Sequence, residues 1–423
     1  MKVLIKKAKV IVPDSSFHHK TVDILIVNGI IKEIGKISSK ADKTVEGENL
    51  HVSAGFMDMR AFSMEPGHES MESLESLALA AAKGGFTQVA IMPNTEPIIE
   101  SKASIKYFQH FSENSLTDLL PTSAVTKDTK GEDFTDMYDL LEAGALAFTD
   151  GHKPLWNSDI LFKTLQYLYP KKALLMNRAE EPTLSIFGQM HEGTCSTMMG
   201  TKGIPSEAEE LMVMRDLKLL EYAGLEHDNA LLHFSCISTE AAVKLIKKAK
   251  QKGLPVSCDI AAHQLAFTDK DLTSFDSNLK VNPPFRGQND VKALKKGLAD
   301  GTIDVIVSDH RPLDEEHKNL EFDLAEFGVI GLQTAFAAMN THADLDIDRL
   351  VSCLTDRPRK LLNLNLPLFV EGAKANLTFF NPDSSYTFKE KDIVSKSKNS
   401  PFIGKDLKGK IVATFHKGHH IIN

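Results

Sequence analysis

An apolar lead-in runs into Gly55-Phe56-Met57-Asp58-Met59-Arg60-Ala61-Phe62-Ser63-Met64-Glu65-Pro66-Gly67, which reads as a strand end entering a loop. Residues two apart on a strand point to the same side, so Asp58, Arg60 and Phe62 are expected on one face. A metal-dependent hydrolase would place a His-x-His pair here and aim two imidazoles at one ion. This chain has Arg60 and Phe62 instead. A benzyl group cannot ligate a metal, so Phe62 is expected as a packed ring. Arg60 is either solvated or held in a buried ion pair. Other chemistry-bearing residues stand at the ends of apolar runs: Asp150 and His152, Arg178, His233, His263 and Asp309. Taken singly, each has a bland reading as a turn residue or a satisfied core histidine. One histidine among carboxylates rarely holds catalytic zinc, which usually takes three protein ligands.

These residues need elements to position them. From Gly55 onward, strand-like runs such as 86–92, 145–149, 174–176, 230–233, 256–260 and 305–308 alternate with helical segments such as 73–83, 136–143, 207–222 and 239–251. About eight strand–helix units imply parallel strands and an α/β fold, a (β/α)₈ TIM-type barrel over 54–367. Both ends are β-like, with Asn28-Gly29 a strong hairpin signal. Residues 1–53 and 368–423 are expected to form one small β-sandwich-like domain. A length of 423 residues suits this plan, and 42% hydrophobic with 25% charged residues is ordinary for a soluble globular protein. A net charge of −8 argues against nucleic acid or an anionic membrane as partner. No apolar run approaches a membrane span, and the lysine-interrupted start is not a signal peptide. Four cysteines without C-x-x-C spacing suggest a reducing compartment, hence a cytoplasmic location.

The Gly55–Gly67 stretch resembles the first signature of dihydroorotases in the amidohydrolase superfamily, roughly Gly-Phe-Ile-Asp-x-His-x-His-x-Arg-Glu-Pro-Gly. The frame is kept at Gly55, Phe56, Asp58, Glu65, Pro66 and Gly67. Both histidines are replaced, by Arg60 and Phe62, and the carboxylate-gripping arginine by Met64. The resemblance runs nearly the full length. It implies a substrate contact at Asn94 in Met92-Pro93-Asn94-Thr95, and a bridging carboxylate position at Asp150. A third metal-binding histidine is replaced by Arg178, and the next is kept as His233. Lys280-Val281-Asn282-Pro283-Pro284-Phe285-Arg286 is the most family-specific string, and Asn282 and Arg286 are carried over as substrate-binding positions. Asp309 takes the base and metal-ligand position, and a late substrate-holding histidine is Leu313.

The resemblance thus implies dihydroorotase chemistry, the reversible cyclisation of carbamoyl-aspartate, on a scaffold that has lost its means. No cofactor is expected; zinc would belong here only if the family site still worked in part. The chain is similar in kind to inactive dihydroorotase homologues that assemble with aspartate carbamoyltransferase, which becomes the expected partner, along with a homo-oligomer, a dimer. Two alternatives stand beside this. One is an active cyclic-amide hydrolase with a remodelled site using His233, Asp309, Asp150 and His152 or His263. The other is a binding module for an anionic small molecule, held by Asn94, Arg60 and Arg178. Without metal, Asp309 would be a costly buried anion, so Arg60 or Arg178 is expected to pair with it.

Overall fold

The computed structural model describes the whole chain, Met1–Asn423. The alternating middle closes into a parallel barrel. Its first three strands, Phe56–Ala61, Phe86–Ile91 and Asp118–Pro121, pair in that order. The fifth to eighth, Leu175–Arg178, Leu232–Ser235, Val256–Ala261 and Val305–Val307, form a second parallel run. Residues 145–149 serve as the fourth strand through the bridges Ser123↔Phe148 and Phe148↔Leu175, and Ala61↔His310 closes the circuit. Helix ends follow local chemistry. Ser73 Oγ accepts from Ser76 N to cap Leu74–Lys83, and Gly144, at φ +104°, stops Met137–Ala143. Helices pack outside the strands in one large apolar cluster. A separate cluster that includes Met57, Met59, Met92, Met176 and Val307 fills the inside.

Strands from both ends of the chain share one eight-stranded sheet. Leu377–Thr387 pairs antiparallel with His51–Ala54, so the last third of the sheet depends on the first. Ile5, Val52, Phe379 and Phe415 pack in the same buried cluster. The Asn28-Gly29 hairpin is present, with φ of +49° and +76° matching the doubly left-handed turn this pair favours. A Cβ on Gly29 would stand 2.3 Å from Gly418 Cα, so the two hairpin tips touch there. No helix is long and apolar enough to cross a membrane.

Candidate functional site

Parallel-barrel sites sit where the strands exit. Arg60 stands at the exit of the first strand with its side chain 2% exposed. Its Nε donates to Asp309 Oδ1 at 2.8 Å, and both terminal nitrogens donate to the Gly151 carbonyl at 3.3 Å. The guanidinium carbon lies 5.2 Å from the centre of the Phe62 ring, within cation–π range. Burial works against the charge, but the Cys236 sulfur, Asp309 and Asp259 outweigh it and raise the pKa of Arg60, which is a permanent cation. Asp309 adopts a left-handed backbone, φ +45°, just beyond the eighth strand. Gly151 also has positive φ, +71°, and an added Cβ would lie 1.7 Å from Asn94 Oδ1. Only glycine lets this loop reach both Arg60 and Asn94.

The expected pair between Arg60 and Asp309 is therefore present, but Arg178 does not join it. Arg178 donates to the carbonyl of His152 at 3.0 Å and pairs with Glu180, two residues along its own chain. Of Asp58, Arg60 and Phe62, expected on one face, Arg60 and Phe62 meet in the cation–π contact, and Asp58 and Arg60 reach the adjacent residues Ser308 and Asp309. Pairing with the second strand is irregular between Asp58 and Ala61. The Asp58 carboxylate accepts from the Ser308 backbone N–H at 3.0 Å and from its hydroxyl.

Several positions carried over as ligand or substrate groups are occupied by the fold. Asp150 accepts from Val125 N at 2.9 Å, Thr126 N at 3.0 Å and Thr126 Oγ1 at 2.5 Å, so it anchors the loop after the third strand. His233 Nδ1 meets Ser257 Oγ at 2.7 Å and Nε2 meets Asp259 Oδ2 at 2.8 Å, leaving neither nitrogen for an ion. Asn94 donates to the Asp150 carbonyl at 3.1 Å and accepts from His152 N at 3.1 Å. Arg286 is buried among Ser238 Oγ, His191 and the Ile204 carbonyl. Asn282 is the exception. Its amide reaches Glu180 only at 3.5 Å and its Oδ1 is buried without a partner. His152 is driven down to about 2 by burial and by Arg311, Arg178, Lys153 and Arg60, and burial drives His263 down to about 4. Both are neutral near pH 7.

Two further buried carboxylates matter here, Asp58 of the kept frame and Asp259, which its sequence position alone had not marked. Asp259 interrupts the apolar run of the seventh strand, and a buried anion inside such a run must have a partner; it takes His233 and Cys236 N. Asp58 lies within the first strand, and burial raises its pKa to about 7 despite the donors from Ser308 and Arg60. Its folded pKa exceeds its unfolded value of about 3.9, so the native state binds the extra proton between these limits. The stability this gives is full below about pH 4 and is lost as pH rises through about 7. An amide cannot ionise, so Asp58→Asn should gain on the parent between pH 5 and pH 8. Urea midpoints at both pH values check this; an unchanged gap would contradict it.

The residues at the mouth do not suit a zinc centre. Phe62, Met64, Met71, Met92 and Leu313 belong to one apolar cluster there. Asp309 is spent on Arg60, Asp150 on backbone N–H groups and a threonine hydroxyl, and His233 on Asp259 and Ser257. A dication near a fixed guanidinium is disfavoured by about 4 kcal/mol per unit charge at ~4 Å and an effective dielectric of ~20. A cleft of about 1080 Å³ opens elsewhere, beside Ala54 at the entry of the first strand and between segments 11–17 and 364–371.

The fold is that of a parallel (β/α)₈ barrel joined to a sheet built from both chain ends. The amidohydrolase family model matches residues 171–421, and a dihydro-orotase-like model matches residues 50–241. A dihydroorotase from Pelotomaculum thermopropionicum is 37% identical over 100% of this chain and 99% of its own length. One from Citrifermentans bemidjiense is 37% identical over 99% of each. Among solved structures, the L-hydantoinase (dihydropyrimidinase) of Arthrobacter aurescens superposes with a TM-score of 0.82 at 21% identity, covering 100% of this chain and 96% of the other. The chain belongs to the dihydroorotase-like branch of the amidohydrolase family.

Proposed function

We propose that this chain is a dihydroorotase homologue without hydrolytic activity, acting as a structural or regulatory partner of aspartate carbamoyltransferase in pyrimidine biosynthesis. The Arg60–Asp309 pair carries this reading. Cyclisation of carbamoyl-aspartate needs an activated water or hydroxide at the amide carbonyl and a carboxylate free to shuttle its proton. Asp309 is the carboxylate at that position, and a guanidinium that cannot give up a proton holds it. Met64 and Leu313 stand where the resemblance expects groups that grip the substrate. Four parts of one mechanism are gone while the scaffold strings remain, which favours retention of the barrel for assembly. The chain itself is proposed to be a cytoplasmic homodimer. Size-exclusion chromatography with light scattering tests the partnership. Mixed with the aspartate carbamoyltransferase of the same source, the two proteins should co-elute in a fixed ratio; independent elution at micromolar concentration would sink the partnership.

A second reading has its own support. Arg178 Nε, Ser235 Oγ, His263 Nε2 and Asn282 Oδ1 are all buried without partners near the strand exits. Such atoms are costly unless something hydrogen-bonds them. This favours a small polar molecule or ordered water in the mouth, with Arg178 and Asn282 as contacts in place of Arg60 and Asn94.

A further inference from the structure

Outside the barrel mouth, one group of side chains has the donor set and spacing of a transition-metal site. His18 and His19 lie in the loop between the strands Lys2–Val10 and Thr21–Val27, and Asp348 lies in the short helix Ile347–Ser352 of the barrel. Nε2 of His18 and of His19 stand 3.4 and 3.5 Å from the same oxygen, Asp348 Oδ1. The three ligand atoms all lie within 4.8 Å of one another. Zinc bonds of about 2.0–2.1 Å in tetrahedral geometry place neighbouring ligand atoms roughly 3.4 Å apart. The observed separations match that edge and exceed the usual hydrogen-bond distance.

Two further observations point to a ligand. Asp348 Oδ1 is itself buried and has no hydrogen-bond partner, while the side chain as a whole is 38% exposed. The second is the conformation of the loop. His19, in a run of turns, adopts a left-handed backbone, φ +62°. The two imidazoles sit with ring centres 3.8 Å apart. A shared cation between both rings and the carboxylate accounts for the loop shape and the orphaned oxygen together.

We propose that His18, His19 and Asp348 bind one divalent transition-metal ion of the zinc class. Two imidazoles and a carboxylate suit zinc, cobalt or nickel better than magnesium or calcium. The side chain of His19 is 50% exposed, so water can complete the coordination. The ligands come from the sheet domain and from a barrel helix, so the ion would clip the two together.

The test uses the full chain, stripped of metal with a chelator and titrated with zinc and, separately, with cobalt. The parent should take up one zinc per chain, show the visible absorption of tetrahedral cobalt, and unfold at higher temperature with zinc than without. The doubly substituted His18→Ala, His19→Ala chain should show none of these, while unfolding at the parent's temperature in the absence of metal. Asp348→Asn keeps the shape of the side chain and carries the test alone if the double variant misfolds; it should weaken zinc uptake and remove the thermal shift. No uptake by the parent, or equal uptake by parent and variants, overturns the proposal.

Discussion

Arg60→Ala should lower the stability of the fold by about 3–5 kcal/mol in urea unfolding. The guanidinium is held by Asp309, by the Gly151 carbonyl and by the face of Phe62. Removal strands the Asp309 carboxylate in an apolar mouth. The Asp309 side chain is 12% exposed, which lets some water relieve it and favours the lower end of that range. A double-mutant cycle separates this from lost packing. Asp309→Ala added to Arg60→Ala should restore part of the loss, because the stranded charge is gone. Strictly additive losses would mean that the pair is spectator to the packing around it.

The second large effect is a gain. Arg60→His, Phe62→His and Arg178→His together remove two of the fixed cations at the mouth, leaving Arg311, and the ring that faces the Arg60 guanidinium. Made with His18→Ala and His19→Ala, so that the proposed clip takes up no metal, this chain should bind zinc at the mouth. Dihydroorotate hydrolysis should nonetheless stay near background. Met64 and Leu313 offer no grip to a carboxylate, and Asp259 and Ser257 still hold both nitrogens of His233. Zinc analysis beside a turnover assay checks both halves. Zinc uptake with restored turnover would show that the metal ligands alone were missing, and absence of uptake would show that the mouth can no longer open around an ion.

The barrel and the shared terminal sheet were legible because their signals are repeated: many apolar runs alternate with helical ones, and each end carries its own β pattern. The Arg60–Asp309 pair was legible too, since a lost ligand position filled by arginine leaves few partners but the remaining carboxylate. Arg178 was read less well. Glu180, two residues on, offered a local partner that competes with any distant one. Asp150 could not have been placed from sequence, because Val125 and Thr126 satisfy it largely with backbone N–H groups, which carry no residue code. Arg286 likewise finds the Ile204 carbonyl only once the chain folds back. The register irregularity between Asp58 and Ala61 is a property of the pairing with the second strand, which alternation along one strand does not carry. His18 and His19 gave no sequence signal as a pair, since their common acceptor lies more than three hundred residues away.

The proposed loss of activity is tested most directly by hydrolysis of dihydroorotate, and by the reverse cyclisation of carbamoyl-aspartate, assayed with the purified chain and zinc supplied in excess. Turnover should match that of the Asp309→Ala variant, with both at the background of the buffer. Turnover in the parent that depends on added zinc and disappears in Asp309→Ala would contradict the reading: Asp309 would then be a working base and the Arg60 pair a resting arrangement that substrate displaces.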